Sequence, residues 1–264
     1  MARIPKFEVP KNYRMKKTAL LFFALFVGLG VFAQTADDVI AKYVEAMGGI
    51  DKLRSMSSLY MEGVSVAPNG TEITSKTYKV QDKLYRQEID FGMGSITFIV
   101  TDKEGWFSNP RNGGAFEAIP AERLKNQQQE MDCAGPLVDY SAKGHKVELI
   151  GKETIDGVEA YNIKITLKSG NVINYFIDNK NWYIIRTSTK GMPGGGMFGG
   201  GGGNRQGGGE VEVKVDYADY KKNADGYLFP MIIKRPGMGG STMETIIERV
   251  EVNKPVDAKL YKPE

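Results

Sequence analysis

Few residues in this chain have the type and spacing for catalysis. Its 264 residues contain one histidine and one cysteine, so a Ser-His-Asp or Cys-His enzyme would rest wholly on His145. His145 lies between Gly144 and Lys146 just before an extended run, the setting of an exposed turn histidine. Cys133 has no neighbouring group that would orient a base, and an idle, buried or half-buried thiol is expected there. Two Cys/His side chains cannot build a zinc cluster, and a single cysteine excludes an internal disulfide. The acidic residues are scattered, as in Asp37-Asp38, Glu88/Asp90 and Glu248/Glu251, and neither a D-x-D-x-D-G loop nor H-E-x-x-H occurs. A hydrolase with carboxylates distant in sequence stays open on spacing alone, without a positive sign for it. Gly194-Gly195-Gly196-Met197-Phe198-Gly199 fits G-x-G-x-x-G. No helix-forming segment follows it and no Lys-Ser/Thr closes a phosphate loop, so the match is read as chance. No catalytic residue, cofactor or metal is expected.

Charge is set by the first 33 residues. Lys16-Lys17, the apolar run Ala19–Val31 and the small residues Val31 and Ala33 before Gln34 have the layout of a secretory signal peptide. The run is shorter than the roughly 20 apolar residues of a membrane span. Met15 fits a start better than Met1, and residues 1–14 read as an extension. Cleavage after Ala33 removes six of the 35 basic and one of the 32 acidic residues, leaving 29 against 31 and a net charge of −2. The basicity of the whole chain leaves with the leader, and with it the support for nucleic-acid binding. No cysteine stands at the cleavage point to carry a lipid. The mature chain, 34–264, is expected to be exported, soluble, periplasmic and monomeric.

Thr35-Ala36-Asp37-Asp38 resembles a capping box, and Val39, Ile40, Tyr43, Val44 and Met47 recur at helical spacing before Gly48-Gly49. Asp51–Met56 makes a second short helix, and Ala121–Met131, after Pro120, a third that covers a surface or a mouth. Elsewhere the period is two. Extended runs are expected near 59–66, 71–80, 83–90, 95–100 and 104–108. A second series lies near 146–153, 158–167, 171–177, 182–190, 210–220, 227–235 and 241–252, punctuated by turns such as Asp156-Gly157 and Asn223-Ala224-Asp225-Gly226. With no βαβ rhythm, the chain predicts a mainly β fold with a few helices. Its core is one antiparallel, strongly curled sheet of about eleven strands in a single domain.

Alternation is clearest in Tyr161, Ile163, Ile165, Leu167 and in Val211, Val213, Val215, Tyr217, whose intervening residues are mostly polar. These eight are the expected inward wall. Between the two sets, 191–209 holds 12 glycines in 19 residues and reads as a flexible insertion. In a meander, alternate connections share an end, which puts 168–171, 191–209 and 236–240 on one rim. Met192, Met197, Phe198 and Met238 are expected there, soft apolar side chains at the mouth of a cavity. Trp106-Phe107 and Trp182-Tyr183 should each send one ring inward and one outward.

The helix Val39–Gly49, Leu53, the first strand Leu59–Val66, the long meander, Tyr227-Leu228-Phe229-Pro230, Val252-Asn253-Lys254-Pro255 and Leu260-Tyr261-Lys262-Pro263 together resemble periplasmic proteins of the outer-membrane lipoprotein-sorting (LolA-like) superfamily, in its divergent Bacteroidetes-type members. The resemblance spans nearly all of 34–264 and rests on fold punctuation. It implies an unclosed β-barrel whose apolar concave face is covered by helices. It also implies a non-catalytic carrier, or chaperone, that holds lipid or lipoprotein acyl chains between inner- and outer-membrane sorting components. The 191–209 insertion departs from the family, and no arginine here is matched to the one joining barrel to lid in its carriers. The alternative on the same fold is a protein-interaction or envelope-sensing module.

Overall fold

Thr35 begins the first helix as the spacing requires. Its hydroxyl accepts the Asp38 N–H at 3.2 Å while the Asp38 carboxylate accepts the Thr35 N–H at 2.9 Å, a reciprocal cap. A computed structural model describes residues 34–110, 113–191, 211–237 and 240–263. Within it, α1 (Ala36–Ala46) and α2 (Ile50–Arg54) precede five strands, β1 (Ser58–Val66), β2 (Glu72–Val80), β3 (Leu84–Asp90), β4 (Ser95–Thr101) and β5 (Gly105–Ser108). A two-residue β6 (Glu117–Ala118), α3 (Ala121–Gln127) and a 3₁₀ turn (Gln128–Met131) follow. Seven more strands complete the fold: β7 (Lys146–Ile155), β8 (Val158–Thr166), β9 (Val172–Asp178), β10 (Ile184–Gly191), β11 (Val211–Lys222), β12 (Leu228–Pro236) and β13 (Thr242–Val252).

The strands form one antiparallel sheet in the order β6-β5-β4-β3-β2-β1-β13-β12-β11-β10-β9-β8-β7. It consists of two meanders joined where β1 pairs with β13, and it does not close on itself. Thirteen strands stand where about eleven were expected. β6 is too short to leave a periodic signal in sequence. At the seam, β1 shifts register between Glu62 and Gly63, and a Cβ on Gly63 would lie 2.9 Å from the Ile246 carbonyl oxygen. Only glycine allows the two meanders to come that close.

Register puts one set of side chains on a common face. Ile163 pairs with Tyr175, Tyr175 with Thr187, and Thr187 with Val215. Tyr217 pairs with Ile233, Ile233 with Thr245, and Thr245 with Ser65. The helices and the crossover between β6 and β7 cover this face in three places. Val39, Ile40 and Tyr43 of α1 join Leu137 over Tyr161, Ile163, Ile165, Leu167, Tyr175 and Ile177. Leu53, Met56, Cys133 and Val138 lie on Leu59, Tyr227, Ile247, Val250 and Val252. Leu124, Met131 and Ile119 cover Tyr85 and Val100, and Gly105 leaves room for the Leu124 side chain.

The sheet is curled. Tyr85 on β3 and Arg235 on β12 are four strands apart, roughly 19 Å if the sheet were flat, yet each affects the other's ionisation. On the opposite face of β3 and β4, Arg86 donates to the carbonyls of Leu260 and Lys262 at 3.2 and 3.3 Å. The end of the chain thus covers Leu84 and Ile99, both at 0% exposure.

Candidate binding site

The eight residues expected to face inward do share one face, in two environments. Tyr161, Ile163, Ile165 and Leu167 lie beneath α1, with Ile163 and Ile165 at 0% exposure. Val213, Val215 and Tyr217 are half-buried and Val211 is 40% exposed, and none of the four belongs to the three clusters. Thr187, Thr189, Arg235 and Met243 share that open stretch by register and are half-buried.

The open stretch meets the end of the sheet where β8–β9, β10–β11 and β12–β13 connect, the expected rim. The β3–β4 turn is at the same end, and Met93 in it is 91% exposed. Val66, Val172 and Val211 are exposed there as well. Met192, Met197, Phe198 and Met238, like the insertion beyond Gly191, lie outside the described residues.

Tyrosines occupy the middle of the covered face. Tyr43, Tyr175, Tyr217 and Tyr220 influence one another's ionisation, and burial raises the pKa of each. Tyr217 shares a hydrogen bond of 3.2 Å with Thr187, and Tyr85 donates to Gln87 at 3.1 Å. Arg235 faces Tyr217 and Tyr85, and burial lowers its pKa against their upward influence. Glu130 reaches the same tyrosines from the crossover and lies 3.9 Å from Lys79. Of these residues Tyr217 is among the eight expected to face inward, and Tyr43, Tyr85, Tyr175 and Arg235 are not. The one available signal for Arg235 is its parity with Phe229, Met231 and Ile233.

The covering segments are tied to one another by polar contacts. The Tyr140 hydroxyl donates to Asp37 of α1 in a short hydrogen bond. Lys143 donates to Asp132 at 2.6 Å and to the Gly135 carbonyl at 3.0 Å. Lys52 of α2 donates to the Gly226 carbonyl at 2.6 Å and lies over the Tyr227 ring. On the outer side, α1 and residues 137–142 enclose an open groove of about 760 Å³ with Ile40, Val44, Ile50 and Leu137 along it.

Cys133 and His145 form separate contacts. The thiol approaches the Met131 carbonyl at 3.9 Å, and burial pushes it up to about 11. His145 accepts the Lys168 N–H on Nδ1 at 3.0 Å, and burial lowers its pKa. Both shifts oppose what a thiolate–imidazolium pair needs. Among the described residues, no three His, Cys, Asp or Glu side chains cluster to hold a metal ion, and no helix is long and apolar enough to cross a membrane. The aromatic pairs divide. Phe107 turns inward against Phe98 at 4.8 Å. Trp182 and Tyr183 precede β10 in a turn, Trp182 at φ +62°, so strand alternation does not apply to them. Trp182 stacks on Tyr161 and Tyr183 on Tyr220.

No family model matches the chain, and no curated protein sequence does. Solved structures do. A LolA superfamily protein from Nitrosomonas europaea is similar at 12% identity and a TM-score of 0.52, over 88% of this chain and 99% of that one. A DUF1329 family protein from Desulfovibrio piger is similar at 15% identity and TM-score 0.51, over 85% and 97%. A putative outer membrane lipoprotein-sorting protein domain from Vibrio parahaemolyticus is similar at 10% identity and TM-score 0.50, over 85% and 94%. The chain has a LolA-like fold, an incomplete antiparallel barrel with helices laid on its inner face.

Proposed function

We propose that the chain is a non-catalytic periplasmic carrier that holds a lipid, or the acyl chains of a lipoprotein, on the inner face of its sheet. The carrying observation is the wall that the clusters leave open, Val211, Val213, Val215 and Tyr217, continuous through Thr187 and Tyr175 with the apolar set under α1. Each acyl CH₂ buried there contributes about 0.8 kcal/mol. Movement of α1 would add Tyr161, Ile163, Ile165 and Leu167 to the wall without changing the sheet. The likeness to a lipoprotein-sorting domain supports the reading, and the signal-peptide layout of residues 16–33 supports the compartment.

Native mass spectrometry of protein purified from the periplasm tests it. A co-purified lipid is expected, and the delipidated protein should take up a fluorescent fatty acid. Absence of both would reject carriage. The groove beside α1, apolar inside and rimmed by Asp37, Glu45 and Asp139, supports the second reading, an interaction module. A pure adaptor would take up no acyl probe.

A further inference from the structure

The residues beside the open wall point to a narrower ligand class, and this step rests on the carrier reading above. We propose that Arg235, with Tyr217, forms a head-group subsite for an anionic amphiphile, one whose carboxylate or phosphate sits at Arg235 while its chain runs along Val215 and Val213.

Position carries the argument. Arg235 is on the inner face of β12, opposite Met243 and two residues beyond Ile233, which itself pairs with Tyr217. One residue further, Pro236 ends the strand at the rim. The register in which Asp216 pairs with Lys234 and Tyr217 with Ile233 sets Arg235 beside Val215, with Val213 and Val211 nearer the rim, so a chain whose head sits at Arg235 runs outward along Val215 and Val213. A free acid or a phosphate ester needs that polarity of site, whereas a neutral ester or a lipoprotein diacylglyceryl group carries no charge for it.

The chemistry fits. A guanidinium offers five N–H donors in a planar fork that matches the two oxygens of a carboxylate or phosphate, and the fork can serve a contact within the chain and an anion together. In a low-dielectric setting such a pair is stronger than in water. The Tyr217 hydroxyl, kept protonated by burial, shares its bond with Thr187, in which either oxygen can donate, so its proton can turn toward an anion. Ser65 and Thr245, buried and sharing a hydrogen bond of 2.8 Å, extend the polar zone across β1 and β13. Glu130 and Asp216 are the acidic groups that reach Tyr217, and each has a cation beside it that offsets its charge, Lys79 for Glu130 and Arg186 for Asp216.

Competition for a fluorescent acyl probe on the delipidated mature protein tests the subsite. The competitors are hexadecanoate, hexadecyl phosphate and methyl hexadecanoate, which share a chain and differ in the head. Wild type should bind at least one anion about tenfold or more tighter than the ester, and the anion with the larger ratio names the source, free acid or phosphate. Arg235→Gln should bring that anion down to the level of the ester. Arg235→Lys, which keeps the charge and loses the fork, should retain part of the preference and serves if the glutamine variant does not fold. Equal binding of anions and ester by wild type, or a full preference in Arg235→Gln, would overturn the subsite and leave carriage standing. Failure of all three to displace or replace the probe would remove the carrier reading itself.

Discussion

Arg54 at the end of α2 clasps Asp139 in the crossover through two hydrogen bonds, Nε to Oδ2 at 2.7 Å and Nη2 to Oδ1 at 2.6 Å. The pair raises the Arg54 pKa and lowers that of Asp139, in both cases chiefly through these bonds. It fastens the helix to the segment that covers the inner face. Because it is solvent-exposed, its weight should fall on local motion and little on global stability. Arg54→Gln is expected to speed amide hydrogen exchange across 136–145 several-fold while the urea midpoint stays nearly constant. Unchanged exchange would assign the fastening to the Tyr140–Asp37 bond.

The two halves of the inward wall should answer differently to the same insult. Ile165, fully buried beneath α1, should lose about 2–5 kcal/mol on change to Asp, from the cavity and the unpaired polar group together. Val213 is half-buried and outside the three clusters, so Val213→Asp should cost about 1 kcal/mol or less and instead weaken acyl-probe binding. Urea denaturation and probe titration on both variants check this. Equal destabilisation would mean Val213 is packed as tightly as Ile165.

Alternation in β8 and β11 is readable in sequence because each strand shows one face to water and one to apolar groups, and the capping box at Thr35 is readable because its chemistry is local. The crossover from Asp132 to His145 leaves no such trace. It is a run of turns whose order comes from Tyr140 and Asp139 contacts far along the chain and from Lys143 contacts to Asp132 and Gly135 within the segment, and partners of either kind have no period. Arg235 escapes notice for the opposite reason. It keeps the inward parity of Phe229, Met231 and Ile233, but a search for apolar alternation discards a charged residue at an inward position. The tyrosines were visible as strand and helix residues. Their convergence follows from the curl of the sheet, which no single strand encodes.

Cys133 should behave as an inert thiol. Burial pushes its pKa up to about 11, with Lys79 opposing, so at neutral pH the reactive thiolate is a small minority. A disulfide reagent should modify the native protein at least about a hundredfold more slowly than a free thiol, and at the ordinary rate once the chain is unfolded. Fast modification of the native state would show that the covering segment over Cys133 opens readily, or that the thiol is more exposed than its contacts imply.

His145 makes the chain's stability depend on mild acid. Its Nδ1 accepts the Lys168 N–H, joining the crossover to the β8–β9 turn, so that nitrogen carries no proton in the folded state. Burial first, then Lys143, lowers its pKa, against a smaller upward influence from Asp132. The unfolded histidine ionises near 6.5, so in the window from about that pH down to the lower folded value the unfolded chain binds a proton the folded chain does not. Stability is therefore whole above the window, falls as pH drops through it, and gains no further loss from His145 below it. As this is the only histidine in the sequence, the urea midpoint should decline between pH 7.5 and 5.5 in wild type and decline less in His145→Gln. Parallel profiles for the two proteins would show that His145 titrates alike folded and unfolded, and that the Lys168 contact does not hold its proton off.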